Sequence, residues 1–313
     1  MLFNLFLIFT GVAFLYYGGD FLVTGSIRIA KIFKLSPFVI GATIVGFGTS
    51  APELSVSVFA SLKEAPEVAL GNALGSNIAN ICLVLGLTAL IKPIPINFDL
   101  IKKETSKFLF STFLILIFAW NRFLSRLEGT ILIILLGLFI WQTFSNNSSE
   151  EDESEGEDEL LSVRGLTTQF GLILGGITLL VYGANNLVEG SVNIARLLGI
   201  SEWLIGISIV AIGTSLPEIV SSVIASSRGH GDLSIGNVYG SNIFNIHMVL
   251  GFASVVHPLK ILEKIEPDLI IVAVLSCMLA IFFRFKAKLS KADGLFLVVC
   301  YIIYISTKSL KLI

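Results

Sequence analysis

Glu53 and Glu218 are the residues best placed to do chemistry, because each is a carboxylate set deep inside a long apolar run. An acidic group at the centre of a membrane-spanning helix costs about 2.5–3.5 kcal/mol on insertion scales, so such a group is functional by default. Each closes the same kind of hexad. The first is Gly48-Thr49-Ser50-Ala51-Pro52-Glu53, in the run from Ser36 to Ser61; the second is Gly213-Thr214-Ser215-Leu216-Pro217-Glu218, in the run from Ser201 to Ser227. Proline has no N–H to donate and crowds the carbonyl four residues back. The carbonyls of Gly48 and Gly213 are thereby released, which hydrocarbon tolerates only where protein or a water-lined cavity satisfies them.

The surrounding inventory is all oxygen. It adds hydroxyls from Thr49, Ser50, Thr214, Ser215, Ser76 and Ser241, and side-chain amides from Asn80 and Asn245. Backbone carbonyls at Gly46, Thr49, Ala211 and Thr214 lie close in sequence. Such a set suits a hard cation. Calcium accepts about six to eight oxygens in flexible geometry, and sodium, similar in size, can share them. Two carboxylates balance one calcium ion or hold more than one sodium ion, and competition for one cage is the physical basis of exchange. No histidine–cysteine cluster is present, which argues against zinc or copper.

Two plainer readings compete with this one. A buried carboxylate is often paired with a base, but the runs holding these residues contain no Lys or Arg. Gly-Thr-Ser-x-Pro could also be a mere kink; two copies, each followed by Glu, argue otherwise. The spacings Gly71 to Gly75 and Gly236 to Gly240 are read structurally, as close helix contacts. His247, whose counterpart in the other half is Cys82, is read as a packing residue, and Asp20 as interfacial.

The elements that must position these groups are membrane spans. The 313 residues are 54% hydrophobic and 14% charged, far more apolar than a soluble core needs, and the net charge is −2. Cys82, Cys277 and Cys300 are scattered in apolar runs and imply neither a disulfide framework nor a metal motif. The first apolar stretch lacks a basic n-region and outruns a signal peptide, so it is expected to stay as a span.

In order, the spans read as 2–32, the broken 36–62, 68–91, a short 108–120, 129–144, 166–198, the broken 201–227, 233–256, 269–285 and 294–305. Lys102, Lys103 and Lys107 are assigned to a polar connection after Pro93 and Pro95. Ser145 to Glu159 carries eight acids, self-repels, and reads as a disordered linker.

Adding 165 to a position in the first half lands on its partner in the second. From Gly41 to Gly86 against Gly206 to Gly251, 23 of 46 positions are identical, the polar ones included. Five spans per repeat is an odd number, so the second half must enter the membrane upside down. With the N-terminus outside, the inner loops hold 13 of the 21 basic residues, in the direction of the positive-inside rule. The expected fold is therefore an all-α integral membrane protein. Its ten transmembrane helices form two inverted five-helix repeats with broken helices at the midplane, a signature of secondary transporters. The expected division is 1–144, an acidic cytoplasmic linker at 145–165, and 166–313.

Paired Gly-Thr-Ser-x-Pro-Glu hexads, each followed by Gly-Ser-Asn-x-x-Asn (Gly75 to Asn80, Gly240 to Asn245), resemble the calcium/cation antiporters, and within them the prokaryotic sodium/calcium exchangers. The resemblance covers essentially the whole chain. It implies that Glu53 and Glu218 bind calcium with help from Thr49 and Thr214. Sodium sites would reuse those carboxylates with Ser50, Ser76, Ser215 and Ser241. The potassium-dependent branch has Asp where this chain has Asn245, which leans toward potassium independence. The implied function is sodium/calcium antiport by alternating access in a cell membrane, with no enzymatic activity and no cofactor. The partners are then calcium, sodium and the lipid bilayer, with no nucleic acid. A calcium/proton antiporter is the alternative; a potassium-dependent exchanger, a passive cation channel and an acidic-loop scaffold rank below it.

Overall fold

The computed structural model describes residues 1–145, 163–199, 211–262 and 264–310. The acidic segment expected to be a linker and the start of the second broken run lie outside them. The architecture is almost wholly helical. Helix α1 (Leu2–Ile32) leads to α2 (Pro37–Thr49), α3 (Ala51–Leu62), α4 (Pro66–Ile91), α5 (Phe98–Phe118) and α6 (Arg126–Ser145). The second half holds α7 (Val163–Leu197), α8 (Ala211–Gly213), α9 (Leu216–Ser227), α10 (residues 231–256), α11 (Glu266–Phe285) and α12 (Lys291–Ser309). Among the described residues, six helices are long and apolar enough to cross a membrane, and the pair α2–α3, bent by 43°, makes a seventh span if counted as one. This is a multi-pass membrane protein.

Residues 165 apart hold matching places. Two short antiparallel ladders close opposite ends of the bundle: β1 (Ile94–Pro95) with β4 (Lys288–Leu289), and β2 (Phe123–Leu124) with β3 (Leu259–Lys260). Ile94 faces Leu289 in one, and Leu259 faces Leu124 in the other, which is the same pair with the halves exchanged. Helices α6 and α12 start on matching capping boxes, Ser125 with Glu128 and Ser290 with Asp293. Each box satisfies otherwise orphaned helix N–H groups reciprocally.

Helices α1 and α7 run antiparallel, back to back, on glycines spaced seven apart. A Cβ on Gly11 would meet the Gly183 carbonyl at 2.8 Å, and one on Gly18 the Gly176 carbonyl at 2.9 Å. Gly25 is pressed in the same way against Gln169, and Gly190 against Asn4. Small residues let backbones approach where lipid supplies no hydrophobic drive between helices. The two helices thus pack as one closely interlocked pair.

The largest buried cluster sits behind α4 and α10, where Tyr239 packs against Phe38, Phe108 and Phe283. One expectation is corrected here. Lys102, Lys103 and Lys107 are not in a connection but in α5, which starts at Phe98. The reason is amphipathy at helical spacing: Ile101, Glu104, Thr105 and Phe108 are buried while Lys102 and Lys103 point outward. Lys107 lies 3.4 Å from the buried Glu104 and donates to Thr143, which lets a charged turn enter the bundle. The last span is also longer than expected, 291–309 rather than 294–305.

Candidate functional site

The first hexad folds as a helix that stops and restarts. Ser50 leaves helical geometry at φ −85°, ψ 2°, and Pro52 then occupies the first turn of α3, where its missing N–H costs nothing. Ser215 does the same at φ −91°, ψ 5° ahead of α9, with Pro217 in its first turn. Each break sets its glutamate one residue after the proline, in the first turn of the new helix, where the helix dipole favours negative charge. Glu53 and Glu218 are each 1% exposed.

A second irregularity lies opposite each break. Helices α4 and α10 loosen into π turns at Asn80–Val84 and Asn245–Leu250, and the Asn residues open them. Turns of this kind recur at functional sites. The packing crosses between halves: α3, which carries Glu53, lies against the turn of Asn245, and α9, which carries Glu218, against the turn of Asn80. A third π turn, Gly41–Val45, precedes the first break.

Thr49 is the hub of the described contacts. Its hydroxyl lies 3.2 Å from both the Asn237 Oδ1 and the Ser241 Oγ, and 3.5 Å from the Gly46 carbonyl. It also approaches the Glu218 carboxyl without forming a bond of regular geometry, and Glu53 lies within electrostatic range of that carboxyl. Gly46 seats against Ser241, whose backbone N a Cβ would meet at 3.0 Å. Thr49, Glu218, Glu53, Ser241 and Gly46 are thus brought together. Ser50, Ser215, Ser76, Asn80 and Asn245 are buried on the same elements. Thr214 is half-buried and borders a cavity of about 580 Å³ between α7 and the two breaks. Ala211 opens the short helix α8.

The decisive feature is polar dissatisfaction. Both carboxylate oxygens of Glu53 and of Glu218, the Ser50 hydroxyl, and both amide atoms of Asn80 and of Asn245 are buried without a hydrogen-bond partner among the described residues. Buried polar groups are otherwise almost always paired. Two carboxylates at this depth with no base beside them must be neutralised, by a bound cation or by a proton. Every donor atom aimed there except the amide nitrogens is an oxygen, which fits calcium or sodium.

Asn72 and Asn237 hold the elements around the two glutamates, and the sequence reading does not single them out. Asn72 donates to the Glu53 carbonyl and to Ser57, and Asn237 donates to Ser221 and Ser222 while its oxygen receives the Thr49 hydroxyl. Their signal was present: both stand in the same Gly-Asn-x-x-Gly-Ser-Asn string in the two halves. His247 lies instead against α5, its Nε2 2.7 Å from the Ser111 hydroxyl. Gly236 and Gly240 meet the backbone of Phe38 and Ala42 as close helix contacts; for Gly71 and Gly75 no such neighbour occurs among the described residues.

Comparison with known proteins agrees with this geometry. The profile of the sodium/calcium exchanger protein family matches residues 3–144 and again residues 168–310. An uncharacterized membrane protein of Methanocaldococcus jannaschii is 38% identical over 301 residues, 95% of each chain. A sodium/calcium exchanger of Methanosarcina acetivorans is 32% identical over 341 residues, covering 96% of this chain and 97% of its own. The solved sodium-calcium exchanger NCX_Mj superposes with a TM-score of 0.86 at 34% identity, over 98% of this chain and 99% of that one. Two matched halves, each carrying a buried glutamate just after a break in its helix, place this chain in the sodium/calcium exchanger family, a family of membrane transporters and not of enzymes.

Proposed function

We propose that this antiporter carries calcium and sodium in turn on one oxygen cage whose charged walls are Glu53 and Glu218. The observation that carries the reading is the set of four buried carboxylate oxygens without a partner among the described residues. Thr49 and Thr214 complete the calcium position, with the Gly46 and Ala211 carbonyls at the two breaks. Ser50, Ser215, Ser76, Ser241, Asn80 and Asn245 extend the cage for sodium. Calcium leaves when sodium ions together supply the same countercharge, so the two cannot occupy the cage at once. Family membership over both halves favours sodium over the proton-coupled, potassium-dependent and channel alternatives.

The cage is reached from one side at a time in a ten-span arrangement of two inverted repeats, 1–144 and 166–313, joined by a linker at 145–165. Support comes from the exchanged ladder pairs and the matching capping boxes. The basic residues gathered at the linker end support an N-terminus outside the cell membrane and a cytoplasmic linker. On that assignment the cavity beside Thr214 opens outward.

The test is calcium uptake into sodium-loaded liposomes, with sodium, potassium and proton gradients imposed separately. Uptake that requires internal sodium and vanishes in Glu53→Gln is the expected result. Uptake driven by a proton gradient alone, or passing without any countergradient, overturns the proposal.

A further inference from the structure

Asp20 lies within the long apolar helix α1, and its carboxylate forms an ion pair with Arg228 at the end of α9. Arg228 also donates to the Thr24 hydroxyl at 2.8 Å. Beside this pair, Gly19 lies flat on α9: a Cβ there would meet Ile224 at 2.6 Å and Val220 at 2.9 Å. Helix α1 is thus sealed against α9 at the end of the bundle that carries the β1–β4 ladder.

The same positions in the other half are not joined. Shifting by 165 turns Gly19, Asp20 and Thr24 of α1 into Ala184, Asn185 and Glu189 of α7, and turns Arg228 into Lys63. Ala184, Asn185 and Glu189 border the 580 Å³ cavity together with Pro52, Thr214 and Pro217. Lys63 is exposed, and neither it nor Glu189 has an ion pair among the described residues.

The chemistry is nonetheless preserved. Each set holds one cation, one acid and one neutral polar residue; the acid has moved by one helical turn, from Asp20 to Glu189, and the neutral residue has moved the other way. Unrelated drift would not keep the charges complementary. The two breaks are also covered unequally, since α7 lies over both: Ile177 faces Gly48 and Val188 faces Gly213.

We infer that Arg228–Asp20–Thr24 and Lys63–Glu189–Asn185 are alternating latches, one for each face of the membrane, of which only one closes at a time. The inference rests on the antiport reading above. The exclusion follows from the glycine contacts between α1 and α7: with their backbones interlocked, α1 cannot leave α9 without carrying α7 toward α3. In the opposite state Lys63 reaches Glu189, the cavity beside Thr214 closes, and Val23 takes the place of Ile177 over Gly48. Arg228, Asp20, Lys63 and Glu189 touch no ion and act as positioning residues for access to the cage.

The test uses the full chain with its three native cysteines replaced, reconstituted in liposomes. Single cysteines are placed at Val188, which lines the cavity, and at its counterpart Val23, which is fully buried. Labelling by a membrane-impermeant maleimide is followed from each face without transported ions, and sodium-dependent calcium uptake is measured in parallel. Arg228→Gln should raise labelling at 23 and lower it at 188, each by about fivefold, the scale of one partly exposed ion pair. Lys63→Gln should do the reverse. The exchange Lys63→Glu with Glu189→Lys should restore the parent pattern, so that a variant that merely fails to fold is distinguished. Labelling at 23 that rises with no fall at 188, or a Lys63→Gln pattern equal to the parent, overturns the inference. If uptake ignores sodium while the labelling responds as stated, the ion assignment fails and the latches stand.

Discussion

Thr49, at the end of α2, donates a hydrogen bond to the Asn237 Oδ1 on α10, 3.2 Å away, and so ties the first break to the second half of the chain. Asn237 is itself held by Ser221 and Ser222 of α9, the helix that carries Glu218. One side chain thus sets the distance between a hydroxyl beside one carboxylate and the helix that bears the other. Asn237→Ala should weaken calcium binding about tenfold, the scale of one buried hydrogen bond. In a Thr49→Val background the same change should add little. Calorimetry on the two single variants and the double decides; full additivity would mean that Asn237 does not act through Thr49.

Glu53→Gln and Glu218→Gln keep shape and remove charge. Each should abolish measurable calcium binding, because a lone carboxylate matches only half the charge of the ion. The double variant should be scarcely worse than either single one. Coupling between residues in one network is about 0.5–3 kcal/mol, and ligands of a shared ion belong at the upper end. Independent, additive losses would assign the two carboxylates to separate sites.

Asn245→Asp adds a third carboxylate where the π turn opens. Calcium transport should persist, with the cation preference shifted toward a larger total positive charge, potassium included. Flux measured with sodium and potassium varied separately checks this. An unchanged ion dependence would place Asn245 outside the cage.

Gly18→Val inserts a branched side chain where a Cβ already meets the Leu180 nitrogen at 2.8 Å. The contact is backbone and has no rotamer to yield. A loss of about 1–3 kcal/mol in stability is expected, the scale of overpacking a tight interface. Thermal unfolding in detergent, compared with Gly137→Val on α6, where no neighbour lies within 4 Å among the described residues, separates crowding from the loss of a glycine.

How far the sequence was legible depended on where each signal resides. Breaks, carboxylates and the 165-residue offset are written in residue types, because proline and an apolar-run glutamate have few other uses; the structure shows a break ahead of each proline and both glutamates buried. No residue type announces the π turns that begin at Asn80 and Asn245. Asn72 and Asn237 were legible but passed over, since the inventory counted atoms facing an ion rather than those holding its ligands. The start of α5 was misjudged because three lysines outweighed the spacing of Ile101, Thr105 and Phe108 between them.

Both two-residue ladders run between halves, and the hydrogen bonds beside them, from the Ile96 nitrogen to the Ala287 oxygen and from the Ile261 nitrogen to the Arg122 oxygen, are also exchanged copies of one contact. Among the described residues neither half closes a ladder on itself. Each leaves an unpaired edge that the other fills, as two interlocking pieces would. These ladders tie the two halves together independently of the covalent link through residues 146–162. A chain cut within that segment and produced as two separate polypeptides should reassemble in the membrane into a working exchanger, while either polypeptide alone should remain unassembled.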